Sequence, residues 1–378
     1  MIAHGPAGPS LRVRVRQSIA GASLCAVCFV LRVTGESVRG LWVMGGCGPN
    51  IECVVEFAAA ARAGREPGVG GFSMLPKPPP REASLGFLFI PPFRVQGISV
   101  AGEATCVQIP EFDVCFDMGA CPRAMLTSRF VAISHGHMDH VGGLAYYCSQ
   151  RQFQGMGVGT IICDERIAGA IRKMMLGMAE LEEQDTPYEL IALKDDQTTD
   201  IKNNMFVRLF WTEHTSPSVG YVVVERRTKL LEKYVGLPQE KLLELKERGV
   251  EITRPLEIPL LAYLGDTGPG PHLVREDVRR ARIIVTECTF FEPEHRSRAN
   301  IGMHLHVDDI AEWLPVTECE AMVITHVSRR THLTYARERL HEAVGPELAE
   351  RCLFLMDYRG NRERFERQEA ESERVTSV

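Results

Sequence analysis

The chain lacks any singled-out apolar run of membrane-spanning length. Its charge-free stretch Ser18–Leu31 holds 14 residues, against the roughly 20 that a helix needs to cross a bilayer. That excludes an ordinary transmembrane anchor. An excess of positive charge is also missing: 43 Lys and Arg stand against 49 Asp and Glu, for a net charge of -6. General affinity for polyanions is therefore excluded, and any nucleic-acid contact must come from local basic patches. Of the twelve cysteines, Cys25 and Cys28 form a C-x-x-C with no second pair to complete a zinc ribbon. The others are scattered through apolar runs, as at Cys115, Cys163 and Cys288, which reads as buried thiols in a reducing compartment. Internal repeats and low-complexity tracts are absent from the body of the chain. What remains is 378 residues with an ordinary 45% hydrophobic content, enough for one large domain or two.

The densest chemistry lies between His135 and His140, an H-x-H-x-D-H cluster that follows the apolar run Phe130–Ile133 and opens into a helix. Three imidazoles and a carboxylate within six residues exceed ordinary surface decoration. His135 and His137 alternate to one side, while Asp139 and His140 face another on the following turn. The spacing suits two metal ions rather than one.

Beyond residue 85 the chain alternates strands and helices. Phe93–Val100 and Glu103–Ile109 read as paired strands, and Phe112–Phe116 as a third that ends at Asp117 before Gly119. An acid in that position can orient a neighbouring metal-binding loop. Val141–Gln150 and Ile167–Leu181 read as helices, the latter with Ile171, Met174, Met175 and Met178 on a core-facing side. Met205–Trp211 leads to His214, Ile258–Leu264 to Asp266, Arg282–Val285 to Glu287 and Ala321–Ile324 to His326. Five strands thus each end in one acid or imidazole, and strand ends that converge can share a rim. His295, His332 and His341 lie in charged stretches and read as surface residues; Asp164, Glu165, Asp195 and Asp196 read as solvated turns.

The ends of the chain differ from the middle. Residues 1–84 carry Arg12, Arg14 and Arg16 ahead of the charge-free run, then glycines, prolines and the tract Pro76–Pro80. This pattern fits a secretory or transit segment, or an upstream extension of a reading frame whose start is Met74, the preferred reading. The expected organisation is an extension over 1–84, a catalytic domain over 85–357 and a charged, frayed tail over 358–378.

The stretch His135–His140, His214 before Gly220 and Tyr221, Gly265–Thr267, Glu287–Phe290, His304–His306 and Thr325–Arg330 resemble, in that order, the motifs of the metallo-β-lactamase superfamily. More closely, they resemble short-form, plant-type ribonuclease Z, the tRNA 3′-processing endonuclease; the resemblance covers about residues 90–330. It implies an αββα four-layer sandwich with two Zn²⁺, or Mn²⁺, at one edge. Carried over position by position, His135, His137 and His214 hold one ion, Asp139, His140 and His326 the other, and Asp266 bridges them. Asp139 would orient the attacking water, and Glu287 with His304 would form a carboxylate–imidazole pair that delivers a proton to the departing ribose oxygen. His304 is favoured by its spacing of 22 residues from His326, with His306 open as the alternative. The resemblance further implies precursor tRNA as partner, homodimerisation and cytoplasmic action, with organelle targeting by the N-terminal segment as the alternative.

Two departures bear on substrate. Where many ribonucleases Z carry a long arm with a Gly-Pro-rich tip, this chain has Glu225–Gly249, with only Gly236 and Pro238 as a trace of that tip. Its basic residues Arg226, Arg227, Lys229, Lys233, Lys241 and Lys246 are offset by Glu232, Glu240, Glu244 and Glu247. The final motif reads His326, Val327, Ser328, Arg329, Arg330 without the family's usual aromatics, though both arginines suit phosphate. A hydrolase for a small ester, thioester or phosphodiester on the same scaffold is the alternative function.

Overall fold

The computed structural model describes residues 31–34, 37–40 and 85–376. The readings placed on residues 1–30 and 76–80 lie outside them. The chain divides into two units, Met1–Gly71 and Phe72–Val378. In the first, β1 (Leu31–Thr34) pairs antiparallel with β2 (Ser37–Gly40). The other described residues, 85–376, lie in the second.

That unit holds two sheets of seven strands. The first runs in order through β3 (Gly86–Ile90), β4 (Phe93–Val100), β5 (Ala104–Ile109), β6 (Val114–Phe116), β7 (Phe130–Ala132), β8 (Gly159–Asp164) and β9 (Tyr188–Leu193). The second repeats the scheme with β10 (Thr198–Lys202), β11 (Met205–Thr212), β12 (Ser218–Leu230), β13 (Thr253–Tyr263), β14 (Ile283–Glu287), β15 (Ala321–Thr325) and β16 (Cys352–Phe354). In each, the first four strands are antiparallel and the fourth to seventh are parallel.

Side-chain alternation along a strand builds the layers. On β11, Val207 and Leu209 join the core between the sheets, while Phe206 and Phe210 point to the outer face. The same division makes Ile283 and Val285 of β14 inner and Ile284 outer. Strands apolar on both faces mark a sheet covered twice, here in its antiparallel part at β11 as well as its parallel part at β14. The outer face of the first sheet is covered by α1 (Met138–Val141), α2 (Leu144–Phe153) and α3 (Glu165–Glu182), through Val141, Leu144, Tyr147, Ile167, Ile171 and Met175. On the second sheet α5 (Glu276–Arg279), α7 (Val307–Trp313) and α8 (Leu333–Val344) do the same through Val278, Val307, Ile310, Trp313, Ala336 and Leu340. Helix, sheet, sheet, helix is the expected αββα sandwich. Among the described residues no helix is long and apolar enough to cross a membrane, and Cys115, Cys163 and Cys288 are buried free thiols.

Three expectations need correction. The tail does not fray through residue 376: α10 (Tyr358–Thr376) is a helix on β3, with the Phe365 ring 5.5 Å from that of Phe87 and Gln368 donating to the Phe89 carbonyl. One buried aromatic per few turns is enough to dock an otherwise charged helix, so 357 is not a domain edge. Asp164 is no solvated turn. It is fully buried, caps α3 by accepting from the Arg166 N–H at 2.7 Å, and pairs with the Arg166 guanidinium. On α3 itself, Met175 is buried but Met178 is exposed, because the helix presents only one narrow stripe to the sheet.

Between β12 and β13 the chain projects an arm. From Glu225 on, these two strands continue pairing to Leu230↔Thr253, beyond the last partner of β11. The tip carries α4 (Gln239–Glu247), which has no buried residue. Arg226 is anchored at the base by Asp200 and lies over the Phe206 ring, and Arg227 pairs with Glu225.

Candidate metal centre

The parallel strands end together, and their C-terminal ends carry the chemistry. β6 ends in Asp117, β7 in the His135–His140 loop, β13 in Asp266, β14 in Glu287 and β15 in His326, while antiparallel β11 contributes His214. Register brings the second sheet's ends level, with Glu287 opposite Thr325. Tight turns then aim the ligands. Gly265 adopts φ +63°, and a Cβ there would lie 2.5 Å from that of Ser134, so only glycine lets Asp266 approach the first sheet. Gly119 packs against the Asp139 carbonyl, where a Cβ has no room. His326 itself is left-handed at φ +58°, a strained conformation that its surroundings must hold.

Seven side chains converge. His135, His137 and His214 form one group, with ring centroids 4.5–5.0 Å apart. Asp139, His140 and His326 form another, and Asp266 lies between them. One Asp266 oxygen, Oδ2, is 3.9 Å from His135 Nε2, 3.3 Å from His140 Nε2 and 3.2 Å from His326 Nε2. Asp139 Oδ2 is 3.6 Å from His140 Nε2 and 3.4 Å from His326 Nε2.

The tautomers follow from the partners. Asp117 Oδ2 accepts from His140 Nδ1 at 2.8 Å, from the Ser134 hydroxyl at 2.8 Å and from the Tyr263 hydroxyl at 2.6 Å. The Ser134 proton is thus spent on Asp117, so Ser134 Oγ accepts from His135 Nδ1 at 3.0 Å. His214 Nδ1 donates to the Met303 carbonyl at 3.1 Å. Thr289 donates to Glu287 at 2.6 Å and accepts from His326 Nδ1 at 3.1 Å. In all four rings Nδ1 carries the proton and Nε2 presents a lone pair to the centre. His135 Nε2 and His140 Nε2 are buried without a hydrogen-bond partner, a cost that a protein interior rarely carries unless another group takes the lone pairs. His137 Nδ1 and His214 Nε2 face each other at 3.4 Å. Mixed imidazole and carboxylate donors, five of the seven held by a further partner, fit divalent transition-metal ions.

Beside this cluster, Glu287 Oε1 accepts from His304 Nδ1 at 2.7 Å and from the Thr267 N–H at 2.8 Å. Burial opposes the charged imidazole, but the adjacent carboxylate outweighs it and lifts His304 to about 9. His304 lies 5.0 Å from the His214 ring and 5.5 Å from that of His326. His306 is elsewhere: wholly buried, it caps α7, takes the Asp308 N–H on Nδ1 and reaches the Glu292 carbonyl through Nε2. The structure therefore brings His304, not His306, to the cluster. His332 and His341 are exposed and His295 bonds Glu292, none of them at the rim. Arg329 pairs with Glu103, and Arg330 is exposed.

Several supporting residues escaped the sequence. Ser99 Oγ accepts the N–H of strained His326 at 3.0 Å, and the Gly102 N–H donates to Asp139 at 2.9 Å. Serine and glycine at a hairpin 227 residues from His326 carry no local signal. Tyr263 did offer one, since a tyrosine in a buried strand must find an acceptor.

A family model described as Anti-Pycsar protein Apyc1 matches residues 116–238. The chloroplastic tRNase Z TRZ2 of Arabidopsis thaliana is 33% identical over 252 residues, covering 65% of this chain and 70% of that protein. The tRNase Z TRZ1 of the same plant is 31% identical over 259 residues, covering 67% of this chain and 90% of its own length. Human tRNase Z, short form, superposes with a TM-score of 0.45 at 16% identity, over 73% of this chain and 97% of that one.

Proposed function

Because the chain belongs to the tRNase Z family of metallo-β-lactamase-fold hydrolases, we propose that it is a metal-dependent endoribonuclease cutting precursor tRNA at its 3′ end. The observation that carries this reading is the Glu287–His304 pair set against the rim of seven ligands. His135, His137 and His214 would hold one divalent ion, Asp139, His140 and His326 a second, with Asp266 shared; Zn²⁺ is the first choice and Mn²⁺ the second. When bound, such a pair supplies an acidified water and neutralises charge building on the phosphoryl group. The chain's own residues do the rest. Asp139, half-exposed and held by Gly102, orients the water and takes its proton. Glu287 fixes the His304 tautomer and favours imidazolium, so that Nε2–H points outward with a proton to give. Water oxygen adds to phosphorus as the P–O3′ bond breaks, and His304 protonates the departing O3′. The tRNA body leaves with a 3′-hydroxyl and the trailer with a 5′-phosphate.

The arm favours an RNA partner. Arg226, Arg227 and Lys229 lie on its exposed ribbon, and basic side chains on a ribbon that reaches past the sheet can follow a phosphate chain although the whole chain is acidic. The second reading is hydrolysis of a small ester or phosphodiester on the same scaffold, and the Apyc1 match does not separate it from the first. That match spans the His135–His140 loop and His214 but ends before Asp266, Glu287 and His304, so it covers what both readings share. We extend the proposal to residues 85–376 as the hydrolase domain and to a homodimer formed through the exposed Met138, Tyr146 and Phe153. Cytoplasmic action is proposed, with import directed by residues 1–84 as the alternative.

The test is a substrate panel given to the metal-loaded protein. A 3′-extended precursor tRNA is expected to be cut just after the unpaired nucleotide that follows the acceptor stem, and chelation to abolish cutting. Turnover of a small ester or cyclic phosphodiester with the precursor left intact would sink the tRNA reading.

A further inference from the structure

A hollow of about 260 Å³ opens beside the rim, lined by Glu213, Pro269, Pro271, Asn300 and Met303 among others. Its walls are the immediate neighbours of the chemistry. Glu213 precedes His214, and Met303 precedes His304 while its carbonyl holds His214. The Glu213 main chain is fixed: its N–H donates to Thr267 Oγ1 at 3.1 Å and its carbonyl accepts the Gly268 N–H at 2.7 Å. Its carboxylate, by contrast, has no hydrogen bond or ion pair among the described residues, and neither does the Asn300 side-chain amide.

We propose that this hollow binds the base of the nucleotide on the 5′ side of the cut and reads its exocyclic amino group through Glu213. The proposal rests on the nuclease reading above. His304 delivers its proton to O3′, and that oxygen belongs to the nucleotide that becomes the new 3′ end, so this nucleotide sits on the His304 side of the rim. The hollow is the space on that side. At about 260 Å³ it is smaller than the roughly 300–1,000 Å³ of pockets that take drug-sized ligands, which suits one planar base flanked by two prolines and Met303. A carboxylate beside a phosphate chain repels it, so the base must return a hydrogen bond. Adenine, cytosine and guanine offer an exocyclic amino donor to a carboxylate; uracil has carbonyl oxygens in place of that group, and its lone ring N3–H lies between two of them, so it meets like polarity. Asn300, with a donor and an acceptor, supplies a second polar contact.

The experiment uses four precursor tRNAs that differ only at that nucleotide, with kcat/KM measured for the wild type, Glu213→Gln and Asn300→Ala. The wild type should cut the three amino-bearing substrates at least about fivefold better than the uridine one. Glu213→Gln, which can also donate to a carbonyl, should bring that ratio to within about twofold, and Asn300→Ala should narrow it less. Equal cutting of all four by the wild type, or an unchanged ratio in Glu213→Gln, overturns the proposal alone. No cutting of any of the four by metal-loaded wild type overturns the nuclease reading and this proposal with it.

Discussion

The two seven-stranded sheets share a topology but not a task. In each, the fourth strand ends in an aspartate: Asp117 after β6 and Asp266 after β13. Asp117 is fully buried and spends its oxygens on Ser134, His140 and Tyr263, whereas Asp266 faces three imidazole nitrogens. In the first half the next strand, β7, delivers the four residues of the H-x-H-x-D-H cluster; in the second half β14 delivers Glu287, which bonds His304. The third-to-fourth connection differs most. Between β5 and β6 it is a short turn around Pro110–Phe112, and between β12 and β13 it is the arm with α4. One scaffold used twice thus places Asp117 and the H-x-H-x-D-H cluster on one side, and Asp266, the Glu287–His304 pair and the arm on the other.

The sharpest way to break this contrast is to exchange the fates of the two aspartates. Asp266→Ala should lower cleavage on the order of 10⁴-fold and release metal, because both proposed ion positions would lose a ligand. Asp117→Asn acts only through the groups it bonds, His140, Ser134 and Tyr263, and should weaken metal binding by about 10–100-fold with cleavage recovered at high metal. Metal content by mass spectrometry beside kcat distinguishes the two, and equal losses from both variants would erase the division.

The proposed proton donor of the second half comes next. His304→Ala should cost about 10²–10³-fold in kcat with little change in bound metal. His304 is raised toward about 9 by Glu287, so the acid form persists through neutral pH and is lost as pH climbs past that value. Glu287→Gln removes the stabilising carboxylate and should move the alkaline limb of the kcat/KM profile to lower pH. A profile that does not move would contradict the pairing.

Beneath Asp266, His272 gives a smaller effect on stability. It is buried, its Nε2 lies 3.0 Å from Thr267 Oγ1, and burial, with Arg275 nearby, depresses it to about 4. The neutral ring is the folded form, so its stabilisation is complete above the ordinary histidine range and fades as pH falls through about 6.5 toward 4, a loss of roughly 3 kcal/mol at most. Urea titrations at pH 7 and 4.5 should show a shallower decline for His272→Gln than for wild type. The mildest change belongs to the arm. Replacing Arg226, Arg227 and Lys229 with serine should raise KM about three- to tenfold and flatten its salt dependence while kcat holds; a fall in kcat alone would place the arm in the chemistry instead.

The difference between halves also explains what could be read in advance. His135, His137, Asp139 and His140 were legible because rare residue types recur at tight spacing, and Asp266, Glu287 and His326 because each ends an apolar run. The topological repeat was not legible, since the two halves preserve strand order and not residues. Ser99 and Gly102 are common types brought to the rim only by contacts between segments distant in the chain. Asp164 could have been found, as an acid between a strand and a helix is an N-cap signature. The docking of α10 rests on Phe365, and a single aromatic among charges is a weak pattern.

The central claim is that this rim breaks the P–O3′ bond at the 3′ end of precursor tRNA, with His304 protonating the leaving oxygen. Mapping both product termini from a metal-loaded reaction tests it most directly. Cleavage of P–O3′ leaves a 3′-hydroxyl on the tRNA body and a 5′-phosphate on the trailer, expected to form slowly with His304→Ala and not at all with chelator. A 3′-phosphate on the body, or the same rate from His304→Ala as from wild type, would contradict it.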